Sequence, residues 1–128
     1  MGNPYQNVSE AETEVLKVLW EFGPATVREI NVRLARRKRK WAYNTVLTLL
    51  SRLREKGYVG ADRRDTAHTF RAIVTRDALL GSSLTALADN LCDGTTSPLV
   101  YALVRGRKFS TEEIAHFRKL LDDLTPKD

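Results

Sequence analysis

The chain has 128 residues, 42% of them hydrophobic and 29% charged, the proportions of a folded globular protein and not of a disordered one. No run approaches the roughly 18 consecutive apolar residues of a spanning helix, and the opening residues lack the basic-then-apolar order of a secretory signal, so a cytoplasmic protein without membrane insertion is expected. The net charge of +5 conceals a division: residues 26–71 hold 13 Lys and Arg against 4 Asp and Glu, a balance of +9, and the remaining residues balance at −4.

Ser9 and Glu12 have the spacing of a capping box, in which the hydroxyl takes the amide three residues on and the glutamate returns the bond. A first helix therefore starts there, with Ala11, Val15, Leu19 and Phe22 as its buried face and Gly23 and Pro24 as its end. Thr26 and Glu29 repeat the spacing for a second helix, buried at Val27, Ile30 and Leu34. Residues 36–40, RRKRK, repel one another and are expected to form a solvated turn. A third helix begins at Trp41, with Ala42 near the cap and an apolar stripe at Val46, Leu49, Leu50 and Leu53. Asn44, Thr48, Ser51 and Glu55 then face the other way, flanked by Thr45 and Arg52. Ala42 is a poor cap, so amides at that end are left for another acceptor.

Gly57 closes the third helix, and the period changes from 3.6 towards 2. Tyr58 and Val59 begin one strand and residues 69–73 form a second, separated by a polar turn of Asp62, Arg63, Arg64 and Asp65, with His68, Phe70 and Ala72 on one face. Three helices followed by a basic-tipped hairpin is the order of a winged helix-turn-helix. Thr75 can cap a fourth helix carrying Leu80, Leu84, Leu87, Ala88 and Leu91. After a loop at residues 93–96, Ser97 and Pro98 provide the cap and first-turn proline of a short helix through Val104. Ser110 and Glu113 open a last helix with Ile114, Phe117, Leu120, Leu121 and Leu124 turned inward.

The fold expected is mainly α with a small β-hairpin: a winged-helix DNA-binding domain over residues 1–74 and a helical dimerisation domain over residues 75–128. The C-terminal helices have apolar faces without a second complete core, which suits packing on another copy through Leu84, Leu87, Leu91, Leu99, Leu103, Phe117, Leu120 and Leu121. Packing back on the same chain is the alternative.

An electropositive stretch beside an acidic remainder suits one module that meets a polyanion and another that stays clear of it. Tyr43, Asn44, Thr45 and Thr48 occupy the first two turns of the third helix, where side chains of a recognition helix reach base edges. Arg28, Arg52, Arg63 and Arg64 are placed for phosphates, and the run at 36–40 is a further candidate. No HExxH, phosphate-binding glycine loop or Cys/His pair points to an enzyme, and no cofactor is implied. Glu112 and His116 are only two ligands, and Cys92 is a single thiol that reads as a small core residue, so no metal site is expected. Besides a sequence-specific regulator, a nonspecific DNA-binding protein and a winged-helix protein-interaction module are the competing readings.

SEAETEVLKVLWEFGPATVREI followed by WAYNTVLTLLSRLREKGYV resembles the penicillinase repressor family of BlaI/MecI type, bacterial winged-helix transcription repressors. The likeness continues through RRDTAHTFRAIVTRD to SPLVYALVRGRKFSTEEIAHFRKLLDDL, nearly the whole chain. It implies a homodimer on an inverted-repeat operator near beta-lactamase genes or related resistance and cell-wall genes and, in some members, a membrane sensor protease that cuts the segment matching residues 98–104. Some members present Asn-Phe there; this chain has Ala102 and Leu103. Copper-responsive relatives carry a cysteine-rich C-terminal motif, of which this chain holds only Cys92.

Overall fold

Ser9 Oγ accepts the Glu12 amide at 3.1 Å while Glu12 Oε1 accepts the Ser9 amide at 2.9 Å, so α1 (Glu10–Phe22) starts on a closed capping box. Thr26 and Glu29 exchange the equivalent bonds at 3.2 and 2.9 Å at the start of α2 (Val27–Arg36). These elements belong to a computed structural model that describes residues 8–64 and 67–126; Asp65 of the expected turn and the side chain of Arg64 lie outside the described residues.

α3 (Tyr43–Glu55) begins two residues later than expected: Trp41 precedes the helix and packs, half-buried, against the core. Ala42 holds the N-cap position without a side-chain bond. Val46, Leu49, Leu50 and Leu53 are buried as the 3.6 period requires. At the other end Gly57, with φ +80°, lets the chain turn back: its amide bonds Arg54 O at 3.0 Å and the Tyr58 amide bonds Leu53 O at 2.9 Å. That pair satisfies two terminal carbonyls and drops the Tyr58 ring into the core.

β1 (Val59–Arg64) and β2 (Ala67–Ala72) pair antiparallel, from Val59 opposite Ala72 to Arg64 opposite Ala67. β1 runs further than the sequence suggested, and β2 starts two residues earlier than expected and ends one residue earlier, leaving Ile73 outside the ladder. Asp62, Arg63 and Arg64 continue β1 instead of forming the turn, because the backbone ladder satisfies itself beyond the point where side-chain burial stops. Phe70 is buried on the predicted face and Ala72 packs against the core, but His68 on the same face is exposed, standing out where the hairpin leaves the core. Ala25 and Phe70 exchange backbone bonds at 3.0 and 2.8 Å, fastening the start of α2 to the wing. Trp20 Nε1 donates to Val74 O at 2.8 Å, fastening α1 to the residues that follow it.

The core is built from Val15, Leu16, Val18 and Leu19 of α1 with the stripes of α2 and α3, closed by Tyr58 and Phe70. Phe22, expected inside, is 46% exposed. It lies at the last turn of α1, and the Arg33 guanidinium covers its ring at 3.7 Å in a cation–π contact.

The chain divides into two compact units, one ending at Leu87 and one starting at Ala88, so the division falls within α4 (Arg76–Leu91). Thr75 Oγ1 accepts the Ala78 amide at 3.0 Å, as its predicted capping role requires. α5 (Ser97–Gly106) runs two residues past Val104, and Thr96, not Ser97, occupies the N-cap position, without a side-chain bond. α6 (Thr111–Leu124) starts on a third capping box between Ser110 and Glu113. Ile114, Phe117, Leu120, Leu121 and Leu124 do not turn into a core of this chain; Leu124 is 78% exposed. The end of α4 with α5 and α6 has too little facing surface to enclose one. Among the described residues, no helix is long and apolar enough to cross a membrane.

Candidate nucleic-acid interface

With the Val46–Leu53 stripe held in the core, the helix period forces Tyr43, Asn44, Thr45, Thr48, Ser51 and Arg52 outward, and all are exposed. The face begins with short polar side chains and ends with larger charged ones. Thr48 Oγ1 donates to Asn44 O at 2.9 Å, which commits its hydroxyl proton to the helix and leaves its methyl group and an oxygen lone pair facing out. The Asn44 amide has no protein partner among the described residues, so both donor and acceptor are available, the pair that matches adenine in the major groove. Tyr43, which its helical angle had left close to the apolar stripe, is exposed.

Arginines surround this face. Arg28 stands exposed in the first turn of α2, Arg52 on the flank of α3, and Arg63 on the wing opposite His68. None has a carboxylate partner among the described residues. Arg71 is different, since its Nε pairs with Asp62 Oδ2 at 3.1 Å.

The 36–40 run is not uniformly solvated. Arg37 Nε lies 3.1 Å from Glu14 Oε2 and Arg39 Nη2 lies 3.2 Å from Glu10 Oε1, so α1 draws two of its five charges back onto itself. Burial disfavours charge on Glu14, but Arg37 and Lys17 outweigh it and hold the carboxyl below its ordinary range. Glu29 is likewise held low, by the backbone and hydroxyl of Thr26.

Two residues that the sequence reading passed over belong here. Leu47 and Arg54 lie on the α3 flank next to Tyr43, and with Arg28, His68 and Phe70 they line a groove between the start of α2, α3 and the wing. Their helical angles placed them on a flank, but only the approach of β2 makes that flank a groove.

The residues expected at the dimer contact are mostly exposed: Leu84 and Leu87 in the first unit, and Leu91, Leu103, Phe117, Leu120 and Leu121 in the second, with Leu99 half-buried. Phe117 meets Phe109 edge to face at 5.1 Å between ring centres. Cys92 is half-buried, and no group of three or more metal-binding side chains occurs among the described residues.

The sequence model of the family described as "Penicillinase repressor" matches residues 8–123. The chain is 32% identical over 119 residues to the transcriptional regulator BlaI of Mycobacterium tuberculosis, covering 91% of this chain and 84% of that protein. It is 24% identical to the methicillin resistance regulatory protein MecI of Mammaliicoccus sciuri, covering 95% of this chain and 98% of that one. Among solved structures, the DNA-binding domain of the repressor BlaI aligns with a TM-score of 0.52 at 26% identity, over 61% of this chain and 93% of that one. A MarR family protein from Bacillus stearothermophilus aligns at 0.51 and 21% identity over 93% of this chain and 74% of that one, a likeness of fold.

Proposed function

The chain belongs to the penicillinase repressor family and is a DNA-binding transcriptional repressor, and on that premise we propose that it acts as a homodimer on an inverted-repeat operator. The observation that carries this reading is the exposed polar face of α3 with unpaired arginines on its borders. Tyr43, Asn44, Thr45 and Thr48 read base edges in the major groove, Asn44 through its amide and Thr48 through its methyl group. Arg28, Arg52, Arg63 and Arg64 hold phosphates and fix the register of the helix.

Residues 1–74 carry DNA binding and residues 75–128 carry dimerisation. The bare apolar faces of α4, α5 and α6 support the second role: an isologous contact covers both copies at once and sets two α3 helices at the spacing of an inverted repeat. The regulated genes are those of beta-lactamase or related resistance and cell-wall functions, by likeness to the family. The protein works in the cytoplasm without catalysis of its own. A membrane sensor protease acting on α5 would have to cut a segment in which Ala102 and Leu103 replace Asn-Phe.

Recovering the DNA bound to the protein from its own genome tests the reading. A shared inverted repeat, bound as a dimer and preferred over random duplex at raised salt, supports it; binding that follows salt alone, with no sequence preference, overturns it.

A further inference from the structure

The groove beside α3 has an apolar floor and a polar rim that carries two arginines. Phe70 lies at its base, Tyr43 and Leu47 form one wall, and Arg28, Arg54 and His68 stand around the edge. No Asp or Glu lines it, whereas the comparable depression between α1 and the start of α4 includes Glu21 and Asp77. Leu47 is 39% exposed on an otherwise polar outward face, and Arg54 is exposed without a carboxylate partner among the described residues. A charged rim over an apolar floor does not suit a dry protein contact, because desolvating unpaired guanidinium groups is costly.

We infer that this groove seats the sugar–phosphate backbone of one DNA strand, with Arg54 holding a phosphate and Leu47 packing on the deoxyribose beside it. The inference rests on the operator-binding reading above. Any helix lying in a major groove is bordered by backbone, and with α3 so placed the strand on its wing side would pass this groove. That backbone combines anionic phosphates with largely apolar sugars, and the groove offers both kinds of partner, Arg28 and Arg54 for phosphates and Tyr43 and Leu47 for sugars. Tyr43 thus serves both the base-reading face and the backbone groove. Arg54 and Leu47 become positioning contacts that set how deeply α3 enters, without reading sequence themselves.

The test uses the full chain and a random-sequence 30-base-pair duplex, since a backbone contact is independent of sequence. Affinity is measured across a salt series for wild type, R54Q, L47A and R63Q, whose altered side chains are all exposed, with thermal melts to check folding. R54Q should make the log–log salt slope shallower by about 0.9 per protomer, one phosphate contact. L47A should weaken binding several-fold and leave the slope unchanged. If R63Q shallows the slope while R54Q and L47A change neither slope nor affinity, the groove faces away from DNA and takes a peptide, a small molecule or another copy instead, which overturns the inference and spares the operator reading. If wild type shows no salt-dependent DNA binding, the operator reading itself fails.

Discussion

Lys56 Nζ lies 2.8 Å from both carboxylate oxygens of Glu12, tying the first turn of α1 to the C-cap of α3. The Glu12 side chain is only 4% exposed, and the same carboxylate closes the capping box on Ser9. One glutamate therefore starts the first helix and anchors the end of the helix that carries the polar face.

Burial disfavours charge on Glu12, yet Lys56 and the Ser9 amide outweigh it and keep the carboxyl below its ordinary range. A folded-state value below the unfolded one gives stabilisation that is complete above the ordinary carboxylate range and is lost as pH falls through the depressed value. E12Q should cost about 3 kcal/mol at neutral pH, the low end for breaking a buried pair because Lys56 keeps some access to water. Its acid unfolding should also be flatter than that of wild type. Denaturant melts from neutral pH to below 4 check both expectations; parallel curves for the two proteins would mean that the Glu12 carboxylate does not stabilise the fold in this way.

Arginines that look alike in sequence should separate by salt dependence. R28Q and R63Q should each shallow the log–log slope of DNA binding by about 0.9 per protomer. R37Q and R39Q should leave the slope near wild type, because Glu14 and Glu10 already engage these side chains. R37Q should instead lower the melting temperature, since the largely buried Glu14 loses its guanidinium. An equal change of slope in all four variants would mean that the α1 pairs open on DNA.

The C-terminal faces predict an assembly. Leu121 is 62% exposed in the single chain, so L121D should leave the fold intact. Sedimentation should show a dimer for wild type and a monomer for L121D. Operator binding should weaken on the order of 100-fold once the second half-site is no longer tethered. A dimeric L121D protein would place the contact elsewhere.

Local signals in the sequence carried much of the fold. Ser9, Thr26 and Ser110 each cap with the glutamate three residues on, and the Val46–Leu53 stripe is buried, because helix starts and faces depend on neighbours within one turn. What spacing could not reveal were partners set by tertiary approach. Glu12 was legible as a capping residue, but its bond to Lys56 spans 44 residues, and the Trp20 bond to Val74 spans 54. Arg37 looked like part of a solvated run until α1 placed Glu14 beside it. Asp62 and Arg63 looked like turn residues because an exposed ladder leaves no burial pattern. Of the candidate interface, helical angle gave the exposure of Asn44, Thr45 and Thr48; the groove of Leu47 and Arg54 depended on where the wing lies.

If the start of α3 reads bases, replacing Asn44 must separate operator from random DNA. Intact wild type and N44A are titrated against an operator duplex recovered from the protein's own genome and against a random duplex of the same length, at one fixed salt concentration. N44A should lose about 1 to 3 kcal/mol on the operator and change little on the random duplex. Equal losses on both duplexes, or none on either, would contradict base reading by α3.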